Sequence, residues 1–299
     1  MGIRIILEAT KPNFNLVKQI KDDKIDVDHL ENYKLTLHIG TKEFQISIFD
    51  TNNKCLLIED YNLRDANTSD EVIEILIGII ESHELLKAGF WKEIKVSFRS
   101  KKSTLIPSPL FEGEHSEEYL QLIGEVDPES EEVQSFVHHH ENYVSVYATD
   151  KKILNWLKSL YTTIPVKSLH QSCVLIEGIL HYEDHPSSEG VFIYLNKTDL
   201  HIIVTARKQL QYYNTFTCGS PEEFIRYILL VFQELRLNPN HAKVILWGNF
   251  DDKSPYYKNI YKYIRHISFA KKPSYLKLNF QFDELHDHEY LDLYSINLC

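Results

Sequence analysis

No two cysteines in this chain stand at CxxC spacing. Cys55, Cys173, Cys218 and Cys299 are scattered singly through 299 residues, which excludes a disulfide framework or a clustered zinc site and suits a reducing cytosol. Long apolar runs are also missing. The longest, 75–80 and 227–232, fall far short of the roughly 20 residues a membrane helix needs. The apolar run after Met1 gives way at Glu8, too soon for a signal peptide. A cytoplasmic chain without membrane insertion is therefore expected. Basic excess is absent too: the net charge of −11 argues against nonspecific nucleic-acid binding. The pairs Lys101-Lys102 and Lys271-Lys272 read as solvated loop residues. Neither a Walker A loop, a Gly-x-Gly-x-x-Gly turn nor a Gly-x-Ser-x-Gly elbow occurs.

What is present is a soluble, globular composition, 43% hydrophobic and 25% charged, in a chain long enough for two domains. Residues 191–196, 199–206 and 209–217 read as three strands rich in β-branched and aromatic residues. A long apolar helix follows at 221–236. The same order occurs earlier, with strands at 34–39, 43–49 and 54–61 and a helix at 69–87. A further strand follows each helix, at 93–99 and 242–247. The copies are offset by about 150 residues, the signature of a duplicated unit. Residues 1–32 are read as an N-terminal arm in which 14–21 is a helical turn. A first lobe over 33–185 carries a small insertion with a flexible acidic stretch at 124–132. A second lobe with a C-terminal tail spans 186–299, after the loop around Pro186.

Several side-chain groups invite a chemical reading. His138, His139 and His140 with Glu141 read as a polar loop rather than a metal site, because consecutive residues point different ways. His181 and His185 are four apart, but Pro186 argues against a shared helical face. Asp283, His286, Asp287, His288 and Glu289 form a better-looking cluster, read as a solvated acidic helix start. No metal ligands are therefore assigned. Cys218 precedes a helix, where its pKa could fall, but reads as a small buried residue. Tyr212 and Tyr213 on a strand, and Tyr256, Tyr257, Tyr261 and Tyr263 on a helix, are read mainly as core, with a protein interface as the competing use.

Meander, helix, strand, helix, strand is the order of a ribonuclease-H-like unit. Two in tandem resemble the actin, sugar-kinase and heat-shock-seventy ATPase fold, nearest to the actin-like proteins of cell division and type IV pilus assembly. Closer still is the resemblance to the bacterial domain of unknown function numbered 3822. It lies in Leu105-Ile106-Pro107, Glu117-Glu118-Tyr119-Leu120, 143–147, Leu246-Trp247-Gly248-Asn249, Ser254-Pro255-Tyr256-Tyr257 and 289–296. The resemblance implies an α/β fold of two ribonuclease-H-like units, with mixed five-stranded sheets flanked by helices. It also implies a cleft for ATP and magnesium, held by an Asp-x-Gly turn in each half. No Asp-x-Gly occurs here. The first turn is His38-Ile39-Gly40-Thr41-Lys42, with His38 where the acid would stand. The second ends in Asn196-Lys197-Thr198, and the adenosine turn retains Gly248 and Asn249. These positions (His38, Gly40, Thr41, Lys42, Asn196, Lys197, Thr198, Gly248 and Asn249) are the vestigial nucleotide cleft. No catalytic residue and no cofactor are assigned, because histidine and lysine do not replace carboxylates around a hard cation. The expected function is a pseudo-ATPase that binds a protein partner or a copy of itself. The alternative is a divergent nucleotide-binding protein, kinase or ATPase, which would need Asp50, Asp199 and Asp251 to converge on the cleft. As turn and strand-end residues, these three are expected to face solvent.

Overall fold

The computed structural model describes residues 13–64, 66–138, 141–186 and 189–299. The chain begins with strand β1 (Phe14–Lys21), followed by the meander β2 (Lys34–Ile39), β3 (Glu43–Phe49) and β4 (Cys55–Leu63). Helix α1 (Ser69–Ser82) opens on a capping box, in which Thr68 accepts from the Glu71 N–H and Glu71 reaches back to the Thr68 N–H. It ends before 87 because His83 leaves the helical path. The His83 ring meets the N–H groups of Leu85 and Leu86 at Nδ1 and Glu59 at Nε2. Strand β5 (Glu93–Phe98) then runs parallel to β2.

The insertion follows: β6 (Ser103–Pro107), α2 (Ser116–Gln121), β7 (Glu131–His138) and β8 (Tyr143–Asp150) form a separate sheet of order β6-β8-β7. The expected flexible acidic stretch gives way at Glu131 to β7. Before it, Asp127 accepts the Glu129 N–H and the Ser130 hydroxyl, ordering the turn. Asp150 caps α3 (Lys151–Leu160), and β9 (Val166–His170) leads into α4 (Gln171–Leu180).

The second meander comprises β10 (Glu189–Asn196), β11 (Asp199–Ala206) and β12 (Gln209–Thr217). After it come α5 (Pro221–Glu234), β13 (Lys243–Gly248), α6 (Pro255–Ile260), β14 (His266–Phe269) and α7 (Leu291–Ser295). Helix α5 starts on a Ser220 cap with proline in its first turn and stops where Arg236 turns left-handed.

The two large sheets run β1-β4-β3-β2-β5-β9 and β12-β11-β10-β13-β14. Removing β1 leaves the same five-strand order in both, with the third and fourth joins parallel. The stretch Phe14–Lys21 is thus a strand and not a helical turn. It pairs antiparallel with β4, its residues alternate between exposed and partly buried from Val17 onward after a shift in register between Leu16 and Lys18, and the Phe14 ring stands edge-on to Tyr61. The expected arm's residues 1–12 lie outside the described residues.

Each large sheet is covered on both faces. One face of the first packs on α1 and α3 through Leu76, Ile79, Leu154 and Leu157. The corresponding face of the second packs on α5 and α6 through Phe224, Ile228 and Ile260. Helices α4 and α7 lie between the sheets. Leu175, Ile176 and Ile179 of α4 meet Phe192, Tyr194 and Trp247 of the second sheet. Leu293, Tyr294 and Ile296 of the C-terminal segment meet Phe49 and Ile58 of the first. The two helices cross closely at Gly178, where a Cβ would fall 2.2 Å from the Ser295 Oγ. Among the described residues no helix is long and apolar enough to cross a membrane.

Candidate functional site: the cleft between the sheets

The β2–β3 and β10–β11 turns face each other across the gap between the two sheets. Glu43, the first residue of β3, is 1% exposed and sits at the centre. Its carboxylate receives Nη1 of Arg99 from the end of β5 and Nδ2 of Asn196 from β10 at 3.1 Å. Lys197 Nζ lies 3.1 Å from its second oxygen. Arg99 also donates from Nε to Asp199 Oδ2 at 2.6 Å and from Nη2 to the Asn196 carbonyl at 3.1 Å. Burial pushes the Glu43 carboxyl up. His38, Arg99 and Lys197 more than offset that and hold it well below the usual carboxylate range. Arg99 is driven the other way: burial opposes its charge, and Glu43 and Asp199 secure it.

His38 is fully buried on β2, with Nε2 3.6 Å from Glu43 Oε1 and 3.9 Å from Asp292 Oδ2 of α7. Neither ring nitrogen has a hydrogen-bond partner at normal distance. Asp292 in turn accepts from Gln171 Nε2 at 3.0 Å.

The two glycines in the cleft make room for neighbours. A Cβ on Gly40 would lie 2.9 Å from Glu43 Cγ, and the Gly40 N–H donates to the Glu43 carbonyl. Gly248 has φ of 91°, and a Cβ there would fall 2.2 Å from the Leu195 carbonyl oxygen. Its N–H donates to the His288 carbonyl, and Asn249 donates to the Leu195 carbonyl and, from Nδ2, to Asn196 Oδ1. Thr41, Lys42 and Thr198 are exposed at the turns. The Lys42 carbonyl accepts from Lys197 Nζ, which also reaches Asn62. The nine positions therefore come together around one gap. The charged groups that bridge it most tightly, Glu43, Arg99 and Asp199, were not among the nine. A lone acid at the start of a strand and a lone arginine at the end of another carry no motif.

Asp199 corrects a second expectation. It faces the cleft, not solvent, because Arg99 draws it inward. Asp50 and Asp251 behave as turn residues: Asp50 accepts the N–H groups of Asn52 and Lys54, and Asp251 that of Lys253. Beside Asp199 lies a cavity of about 370 Å³, lined in part by Ser100, His170, His201 and Tyr213. Burial depresses His170 to about 4 and His201 well below the usual histidine value.

His138 does not sit in a polar loop. It is fully buried at the end of β7, with Nδ1 2.6 Å from Glu177 Oε1 and Nε2 2.8 Å from Ser145 Oγ. His139 and His140 lie outside the described residues. His181 meets the Glu177 carbonyl and His185 that of Ile179, so the two serve separate contacts. The 283–289 stretch forms turns rather than a helix start. Glu289 pairs with Lys18, and His288 is buried against the Phe250 carbonyl. Among the described residues the one compact ligand-type group is Glu112, Glu114 and His115, on the surface. Cys218 is buried, which pushes its thiol up to about 11 instead of activating it. The tyrosines divide: Tyr212, Tyr256 and Tyr257 pack on the second core, while Tyr261 and Tyr263 are more than half exposed.

Comparison with solved structures bears out the fold. A Bacteroides thetaiotaomicron protein with an actin-like ATPase fold and unknown function superposes with a TM-score of 0.75 at 23% identity. The match covers 92% of this chain and 99% of that one. The type IV pilus biogenesis complex PilM–PilN matches with a TM-score of 0.57 at 12% identity, over 89% and 96% of the respective chains. Curated proteins offer no match in sequence. The fold is the actin-like ATPase fold. The sequence profile described as "Protein of unknown function (DUF3822)" matches residues 22–267, and the chain belongs to that family.

Proposed function

We propose that this protein is a pseudo-ATPase that uses the two-lobed actin-like scaffold, divided at about residue 185, to bind protein. The observation that carries this reading is the charge set Glu43–Arg99–Asp199–Lys197, which joins the two turns that would otherwise flank a phosphate chain. A nucleotide would have to displace Glu43 against the repulsion of like charges. Two cations that would receive its phosphates, Arg99 and Lys197, are already paired with Glu43 and Asp199. Asp199, the one cleft-facing acid of the three considered, is held by Arg99 and offers no free carboxylate for magnesium. The likeness to PilM, whose solved structure is a complex with PilN, supports a protein as the kind of partner.

Calorimetric titration with ATP and ADP, with and without magnesium, tests the reading. No saturable heat is expected up to millimolar nucleotide. Micromolar saturable binding would overturn it and make the cleft a working site.

A further inference from the structure

Strand β12 is the outer strand of the second sheet and carries the sequence Gln-Leu-Gln-Tyr-Tyr-Asn-Thr-Phe-Thr. Nine residues without a charge, a proline or a glycine make an unusual edge, since folded proteins normally blunt such edges with one of these. The molecule shows what its counterpart does. In the first sheet the equivalent strand is β4, and its outer edge is covered by β1, which pairs antiparallel with it. The covering strand β1 itself presents Lys18 and Lys21. Strand β12 carries no charges of its own, and among the described residues no strand covers its outer edge.

Its free hydrogen-bonding groups can be located. The Cys218 N–H donates to the Thr198 carbonyl, so positions of the same parity, 216 and 214, face β11. The backbone groups of Tyr213, Thr215 and Thr217 then point outward. Two exposed amide side chains occupy edge groups in the single chain: Asn214 accepts the Thr215 N–H at 2.8 Å and Gln211 donates to the Leu210 carbonyl at 3.2 Å. Both can swing away when a strand arrives.

We propose that β12 is a self-pairing edge, joining two copies of the chain into an antiparallel dimer through strand addition. A twofold axis at Thr215 sets the outward groups of Tyr213 opposite those of Thr217 in the second copy. The surrounding charges choose this occupant. Arg207 and Lys208, exposed in the turn before β12, reach the end of the second copy's strand where its exposed Glu222 begins α5. The uncharged strand itself offers no like-charge repulsion to its twin. Ile123, 50% exposed and lining the cavity beside Tyr213, Asn214 and Thr215, gains cover from the added strand. The proposal rests on the scaffold reading and names one partner for it.

Sedimentation velocity of the full chain from about 1 to 200 μM tests the dimer. A monomer–dimer equilibrium is expected, its dissociation constant raised about tenfold or more by K208E or E222K and restored toward the starting value by the two together. T217P, which removes an outward N–H without touching the β11 ladder, should leave a folded monomer by circular dichroism. A monomer throughout the concentration range overturns the proposal, as does a dimer indifferent to all three variants. Nucleotide binding in the cleft would defeat the scaffold reading yet leave the mass unchanged, so the two failures are distinguishable.

Discussion

The two repeats share a strand order but treat their turns differently. In the first, the β2–β3 turn keeps Gly40, and the space above it is filled by the side chain of Glu43. In the second, the β10–β11 turn has Lys197 with φ of 53°, so a lysine occupies a left-handed position and sends its ammonium across the gap. One turn supplies the buried acid and the other a cation and an amide that satisfy it. A duplicated unit has become an asymmetric pair, each half completing the other's electrostatics.

The glycines give the sharpest way to break this comparison. Gly248→Ala would force a Cβ into the Leu195 backbone at a φ that alanine avoids, and a loss of about 4 kcal/mol is expected by urea denaturation. Arg99→Met comes next. It leaves Glu43 buried with His38, Asn196 and Lys197 but without its closest cation and frees Asp199, at a cost of about 3 kcal/mol. A double-mutant cycle with Glu43→Gln should recover part of that loss, because the uncompensated charge is gone.

A pH series probes the same interface. His170 titrates at about 4 when folded, below its ordinary value of 6.5, so the unfolded chain takes up the proton first as pH falls. Stability contributed by the neutral ring is therefore complete above about pH 6.5 and is lost as pH drops toward 4. The loss reaches about 3 kcal/mol from this residue. His201 acts in the same direction. His170→Asn should flatten the profile between pH 7 and 4. Glu43, whose folded pKa is depressed, adds a further loss below about pH 4.5 that Glu43→Gln removes. The smallest effect is expected for Gly40→Ala, about 2 kcal/mol, since the new Cβ presses on the Glu43 side chain at Cγ and disturbs its buried ion pairs but meets no backbone. If Gly40→Ala matched Gly248→Ala, the first turn would be as rigidly specified as the second, and the asymmetry drawn here would be wrong.

Much of the fold was legible because it rests on local signals. Both meanders and the apolar runs of α1 and α5 are written in neighbouring residues. Strand β1 was misread because FNLVKQIK has too few apolar residues to distinguish a half-covered edge strand from a helical turn. His138 looked like loop because three histidines in a row carry no period. Its partner Glu177 is 39 residues away and is brought there only by α4.

From the sequence alone came the repeated order of elements along the chain and the absence of an Asp-x-Gly turn, since each depends on residue type and spacing. What filled the gap between the turns was decided only in three dimensions. Glu43 and Arg99 are 56 residues apart, and Arg99 and Asp199 are 100 apart. Pairing over such distances depends on the two sheets closing on α4 and α7, and buried charges find their partners only where that packing brings them together.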